Sequence, residues 1–121
     1  NSPLLEVPMS IQYKHPAWLN TIKQGYDRLR GKYRSPSVNW LRPSGGNAAQ
    51  MIQVAQQCLS RGNDYVEFML HSSEFMPGGS PTFKDEAAIE GLYQDLEALF
   101  SWLSDKTVGM TLAEFYQYKK K

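Results

Sequence analysis

The sequence NDYVEFMLHSSEFMPGGSPTF, residues 63–83, decides how the fold is interpreted. Its apolar run, residues 65–70, is short and lies between a polar turn and the polar sequence HSSE. Such a run is typical of a strand that is buried on both faces, as in a parallel sheet. Because ligands bind beyond the carboxyl ends of such strands, we expect the chemistry at His71 and Glu74, beside the Gly- and Pro-rich loop 76–81.

Length and composition indicate one ordinary globular domain. The chain has 121 residues, of which 41% are hydrophobic and 21% are charged. A formal net charge of +1 provides no bulk field that would attract nucleic acid or a membrane. The single cysteine, Cys58, cannot form an internal disulfide, so a reducing compartment is allowed but not shown. The location that we predict is the cytoplasm. The first residues, Asn-Ser-Pro, lack an initiator methionine, and we expect that a longer protein contains this chain.

Strand patterns and helix patterns alternate along the chain. We predict strands at residues 4–11, 38–41, 65–70 and 107–110, and helices at 18–29, 48–59, 84–104 and 111–118. Four consecutive strand–helix units of about 30 residues each argue for an α/β fold with a parallel sheet. Residues 1–121 would then form a single α/β domain or a partial domain. Because a closed α/β barrel needs about 200 residues or more, this chain either forms a small open sheet or pairs with something.

Several motifs resemble one protein family. The sequences EFMLHSSE at 67–74 and PGGSP at 77–81 resemble the C-terminal half of the polysaccharide deacetylases, especially bacterial members linked to surface-polysaccharide synthesis. EVP at 6–8 and GMTLAEF at 109–115 are similar to other parts of that half, and Trp40 lies where the family has a tryptophan motif. The resemblance implies about half of an incomplete (β/α) barrel. It also implies removal of N-acetyl groups from sugars with a divalent metal, usually zinc.

The resemblance also implies roles for individual residues. His71 would be the general acid that protonates the departing amine, a task suited to histidine. The aspartate pair and metal-binding histidines of the family belong to its N-terminal half, and this chain has only His15 and His71. We therefore expect the chain alone to bind no metal and to be inactive. Its expected partners are a carbohydrate and either the N-terminal half of the same protein or a second copy, without nucleic acid or a membrane span.

Other candidate residues surround His71, and each has more than one interpretation. Glu74 would orient His71, contact sugar hydroxyls or accept hydrogen bonds from the loop. Ser72 is a candidate substrate contact. A role as a nucleophile is not expected for it, because no second histidine nearby in the sequence supports a serine hydrolase. Trp40 would pack against a sugar ring or within the core, and Arg42 would bind an anionic group or form a surface ion pair. His71 itself would, in the plainer alternative, only cap a strand.

Two further functions stay open at this point. The chain would be a non-catalytic carbohydrate-binding or assembly module on the same fold. Alternatively, it would be an unrelated open α/β domain that binds an anion at the turn SGGN, residues 44–47, although this turn lacks the Lys-Ser/Thr ending of a phosphate-binding loop. Cys58 belongs to the apolar stripe of a predicted helix and is expected in the core.

Overall fold

The computed structural model describes residues 4–32 and 37–120, so the first three residues lie outside the described part. In chain order, the elements are β1 (Ile11–Tyr13), α1 (Ala17–Leu29), β2 (Val38–Trp40), α2 (Ala48–Ser60), a 3-10 turn (Ser72–Phe75), α3 (Glu86–Leu103) and α4 (Leu112–Lys119). The described chain is therefore mainly helical.

The sheet is small and antiparallel. Strands β1 and β2 pair with Ile11 opposite Trp40 and Tyr13 opposite Val38, and the sheet that they form has no third strand within the described ranges. The prediction of an α/β fold with four strand–helix units, forming about half of an incomplete (β/α) barrel, is therefore wrong. Hydrophobic periodicity identifies extended segments, but it specifies neither their neighbours nor the number of hydrogen bonds that they form.

The segment 65–70, predicted to be a buried parallel strand, is extended without being a strand. The Ser10 N–H donates to the Glu67 carbonyl at 3.1 Å, and the Met69 N–H donates to the Leu41 carbonyl at 3.2 Å. The Glu67 N–H also donates to Ser10 Oγ at 3.0 Å. These bonds join the segment to Ser10 and Leu41, which adjoin each other at one end of the sheet, but they do not form a ladder. Val66, Phe68 and Leu70 pack against the core, which is the period-2 alternation of an extended chain. The segment is half-buried and not buried on both faces.

Among the remaining predictions of secondary structure, the helices are confirmed and two of the strands are wrong. Residues 4–10 and 107–110 form no strand, whereas the predicted strand at 38–41 contains β2. All four predicted helices are present. Asp85 caps α3 by accepting a hydrogen bond from the Ala88 N–H at 2.8 Å, and Thr111 and Glu114 form a capping box at the start of α4. Local signals therefore located the helices correctly but overestimated the strands.

The core lies between helices α2 and α3 and the segments beneath them. One cluster of buried side chains consists of Leu41, Met51, Val54, Ala55, Cys58 and Leu99. A second cluster consists of Phe83, Ile89, Leu92 and Leu96. Phe68 packs against both clusters, so the extended segment 65–70 connects them. The prediction that Cys58 is a core residue is confirmed, because its side chain is fully buried.

Candidate functional site

An ion pair connects the segment after β2 with the 3-10 turn. Arg42 Nη2 lies 2.8 Å from Glu74 Oε1, and these residues are 32 positions apart in the sequence. The Glu74 side chain is only 3% exposed, whereas that of Arg42 is 35% exposed. A carboxylate buried to this extent needs a compensating charge, and the guanidinium supplies it from the solvent side.

The other oxygen of Glu74 holds the backbone of His71. Glu74 Oε2 accepts a hydrogen bond from the His71 N–H at 2.9 Å, and the Glu74 N–H donates to the His71 carbonyl at 2.9 Å. These reciprocal bonds close the 3-10 turn at its first residue. Glu74 thus positions the backbone of His71, and His71 itself is exposed at the surface. The imidazole is therefore accessible to a solute.

The charge state of Glu74 follows from these contacts. Burial raises the pKa of this carboxyl group, but the His71 N–H and the Arg42 guanidinium together lower it by more. The net result is a pKa of Glu74 below its ordinary value of 4.5. Glu74 is consequently ionised at neutral pH, where it serves as a hydrogen-bond acceptor and not as a proton donor.

The loop after the 3-10 turn is firmly packed against it. The Gly78 N–H donates to the carbonyl of the buried Phe83 at 3.0 Å, and the Gly79 N–H donates to the Met76 carbonyl at 2.9 Å. A Cβ atom at position 79 would overlap the carbonyl of Ser73 within the turn. The Gly- and Pro-rich sequence therefore supports the turn that carries His71, because only glycine permits this approach of two backbone segments.

The sheet has one open face, and Trp40 lies on it. Gln12 and Leu41 are buried toward the core, whereas Ile11, Tyr13 and Trp40 are exposed on the opposite face. Trp40 is 44% exposed, so it is not a core residue. This arrangement provides two aromatic side chains on an accessible surface.

The structure brings most of the predicted site residues to one region. Arg42, Glu74 and His71 are joined by hydrogen bonds, and Ser72 lies in the same 3-10 turn. Trp40, the last residue of β2, precedes Arg42 by two residues. The sequence did not indicate the Arg42–Glu74 pairing. The one available signal was that both residues follow segments predicted to be extended.

Asp95 is a residue that the sequence analysis missed. Its carboxylate accepts hydrogen bonds from the Asn47 and Ala48 N–H groups, each at 3.2 Å, and so completes the N-terminus of α2 from within α3. The Ser44 N–H donates to Asn47 Oδ1 at 2.8 Å. An anion at the predicted site 44–47 would therefore compete with this carboxylate for the Asn47 and Ala48 amides. A charged residue within the apolar stripe of α3 was the signal for it.

The described residues do not fit a zinc site. Within residues 4–32 and 37–120, no group of three or more His, Cys, Asp or Glu side chains is close enough to hold a metal ion. His15, the other histidine, has its ring Nε2 3.0 Å from Lys23 Nζ, far in sequence from the 3-10 turn. The metal chemistry implied by the resemblance consequently has no ligand set in this part of the chain.

None of the helices in the described part combines the length and the hydrophobicity needed to cross a bilayer. No protein-family model matches the sequence, no curated protein matches it, and no solved structure matches the fold. The deacetylase resemblance therefore stays a prediction, and the geometry around His71 is the evidence on which a function is proposed.

Proposed function

We propose that this chain contributes the proton-donating part of a carbohydrate N-deacetylase, with His71 as the general acid. The observation that carries the proposal is the Arg42–Glu74 pair, in which the buried Glu74 holds the backbone of an exposed histidine. A buried ion pair contributes little stability beyond that of an apolar pair of similar size. Its location beside an accessible imidazole supports a positioning role for the pair.

The chemistry assigns separate tasks to these groups. Hydrolysis of an acetamido group breaks the C–N bond, adds the oxygen of water to the acetyl carbon, and requires a proton on the departing amine. Imidazole is the side-chain type best suited to donate that proton near neutral pH. Glu74 is ionised and occupied by two donors, so it positions His71 and donates no proton. Arg42 and Ser72 would contact substrate hydroxyl groups.

The open sheet face supports a sugar as the substrate. Binding sites for small molecules combine apolar and aromatic surface with a few well-placed polar groups. Tyr13 and Trp40 supply the aromatic surface, and Arg42 and His71 supply the polar groups. The motifs at 67–74 and 77–81 favour acetamido sugars of a bacterial surface polysaccharide or its precursor. The same proposal includes a cytoplasmic location. The buried free thiol of Cys58 is compatible with this reducing compartment.

Further polypeptide would complete this site. Glu67 Oε2 is buried and has no hydrogen-bond partner among the described residues. Such a group is normally satisfied in a native protein, so a donor from another segment would fit here. The proposed ligands of zinc or another divalent ion would belong to this additional polypeptide. It would be either the N-terminal half of the same protein or a second copy of the chain.

The test uses the complete polypeptide that is encoded with this chain, incubated with zinc and N-acetylated oligosaccharides. His71→Ala should lower the rate of acetate release by about 100-fold or more, which is the usual contribution of general acid catalysis. The matched control is His15→Ala, which removes the other histidine and should leave the rate unchanged. Circular dichroism verifies that both variants are folded. Equal rates for His71→Ala and the wild type would remove His71 from the reaction.

A second function is favoured by one observation, the exposure of the aromatic side chains of Tyr13 and Trp40, which would bind a sugar without proton transfer from His71. It is a non-catalytic carbohydrate-binding or assembly module. In this case the wild-type protein binds N-acetylated oligosaccharides, detected by tryptophan fluorescence, without releasing acetate. Trp40→Ala would then abolish binding, whereas His71→Ala would leave the dissociation constant unchanged.

A further inference from the structure

Helix α1 is oriented with its apolar side toward solvent. Its stripe of large apolar side chains, exposed from 55% to 89%, consists of Trp18, Ile22, Tyr26 and Leu29. Of residues 18–29, only Leu19, Asn20 and Asp27 are partly buried, and the others are exposed. An amphipathic helix normally packs its apolar stripe against the core. Here the described helices and strands cover little of α1, and its apolar stripe is available to another phase or molecule.

Positive charge is concentrated around this helix. Residues 14–32 contain five Lys or Arg residues and a single acidic residue, Asp27. With 13 basic and 12 acidic residues in the whole chain, this leaves eight basic and eleven acidic residues elsewhere. The region around α1 is thus cationic, while the rest of the chain is slightly acidic.

The cations flank the apolar stripe. At about 100° per residue, Lys23 and Arg30 lie at one edge of the stripe and Arg28 lies near the other. The Arg30 guanidinium lies over the Tyr26 ring, 4.7 Å from its centroid, so one cation directly borders the apolar surface. Helix α1 is also the most amphipathic of the four α-helices.

We propose that α1 binds the surface of an anionic lipid membrane, lying in the plane of the interface without crossing it. A pronounced apolar stripe that contains Trp and Tyr, low overall hydrophobicity and flanking Lys and Arg residues characterise helices of this type. The apolar stripe would enter the boundary of the acyl chains, and the flanking cations would contact the anionic headgroups. A second copy of α1 is a poorer occupant, because it would bring two cationic segments together. The proposal is independent of the chemistry at His71.

The first test measures cosedimentation of the 121-residue chain with vesicles. Vesicles of phosphatidylcholine alone should sediment little protein, and vesicles of equimolar phosphatidylcholine and phosphatidylglycerol should sediment most of it. Added salt should weaken the binding, because it screens the attraction between the cations and the headgroups. Equal binding to both kinds of vesicle, or binding to neither, would overturn the proposal.

Variants locate the binding on α1. Because each basic residue near an anionic surface adds a substantial attraction, Lys23→Gln with Arg30→Gln should weaken partitioning about tenfold or more. The control pair Lys84→Gln with Lys120→Gln removes the same charge outside α1 and should have a smaller effect. Leu29→Asp should abolish binding, whereas Val108→Asp, at an equally exposed apolar position, should not. Circular dichroism verifies folding of every variant.

Self-association is the remaining competitor for the apolar stripe. Analytical ultracentrifugation of the wild type and of Leu29→Asp distinguishes the two occupants. A dimer that dissociates in Leu29→Asp, together with absence of vesicle binding by the wild type, would assign the stripe to a second copy and refute the lipid proposal. A monomer that binds anionic vesicles supports it.

Discussion

Substitution of Arg42 by methionine tests the Arg42–Glu74 pair most sharply. Methionine keeps most of the apolar stem of the arginine but removes the guanidinium that lies 2.8 Å from Glu74 Oε1. The buried carboxylate would then retain one donor, the His71 N–H. Arg28→Met is the matched control, because it makes the same change at an exposed position of α1.

The magnitude follows from burial and screening. Removing one partner of a fully buried ion pair costs about 3–5 kcal/mol of folding free energy. Arg42 is 35% exposed, so solvent screens part of the attraction, and we expect a loss of about 2–3 kcal/mol at neutral pH. Glu74→Gln combined with Arg42→Met in a double-mutant cycle should show a coupling free energy of about 1–2 kcal/mol. Arg28→Met should change stability by less than about 0.5 kcal/mol.

The pH dependence has a defined sign. The pKa of Glu74 is lowered in the folded protein, so its contribution to stability is complete above the ordinary value of 4.5 and is lost as the pH falls through the folded-state pKa. In Arg42→Met, the hydrogen bond and the charge of the guanidinium no longer lower the pKa of Glu74, so this pKa rises. The difference in stability between wild type and variant should therefore be largest near neutral pH and shrink in acid.

Urea unfolding followed by circular dichroism measures both effects. The midpoint and slope are obtained for the wild type, Arg42→Met, Glu74→Gln and the double variant, at neutral pH and at a pH below 4.5. A loss of stability in Arg42→Met that is equal at both pH values would refute the electrostatic account. It would show that the loss does not depend on the charges of Arg42 and Glu74.

Three further predictions concern the surroundings of the site. Gly79→Ala should destabilise the protein by about 1–3 kcal/mol in urea unfolding, because its Cβ would overlap the 3-10 turn, whereas Gly91→Ala has open space and should be neutral or stabilising. Asp95→Ala should cost about 1–3 kcal/mol by leaving two amides of α2 without an acceptor, and Asp105→Ala should shift the unfolding midpoint little. Cys58 should react with a thiol reagent only when urea unfolds the chain; rapid reaction of the native protein would contradict its burial.

The helices could be predicted because their signals are local. The apolar stripe of α3, its cap at Asp85 and the capping box at Thr111 all lie within a few residues of the structure that they specify. The strands could not be predicted in the same way, because strand pairing depends on distant residues. Residues 65–70 have the composition of a buried strand, but their backbone forms only isolated hydrogen bonds with Ser10 and Leu41 among the described residues.

The site was predictable in location but not in its contacts. The polar sequence after residue 70 indicated His71 and Glu74 as neighbours. In the structure, Glu74 lies in the 3-10 turn and His71 is the residue directly before it. The partner of Glu74 could not be read from the sequence, because the contact with Arg42 spans 32 residues. The orientation of α1 could not be read either, since periodicity defines an apolar face without showing what covers it. The acceptor of the α2 amides, Asp95, likewise lies in another helix.

The most direct test of the account is a nuclear magnetic resonance titration of the ¹⁵N-labelled chain with N-acetylated oligosaccharides. If the Arg42–Glu74 pair presents His71 to a sugar, saturable shifts should appear at His71, Ser72 and Trp40 and should be lost in Arg42→Met. Amides in α4 should not shift. A chain in which the oligosaccharide shifts no resonance of the 3-10 turn, or shifts the same resonances equally in Arg42→Met, would contradict the account.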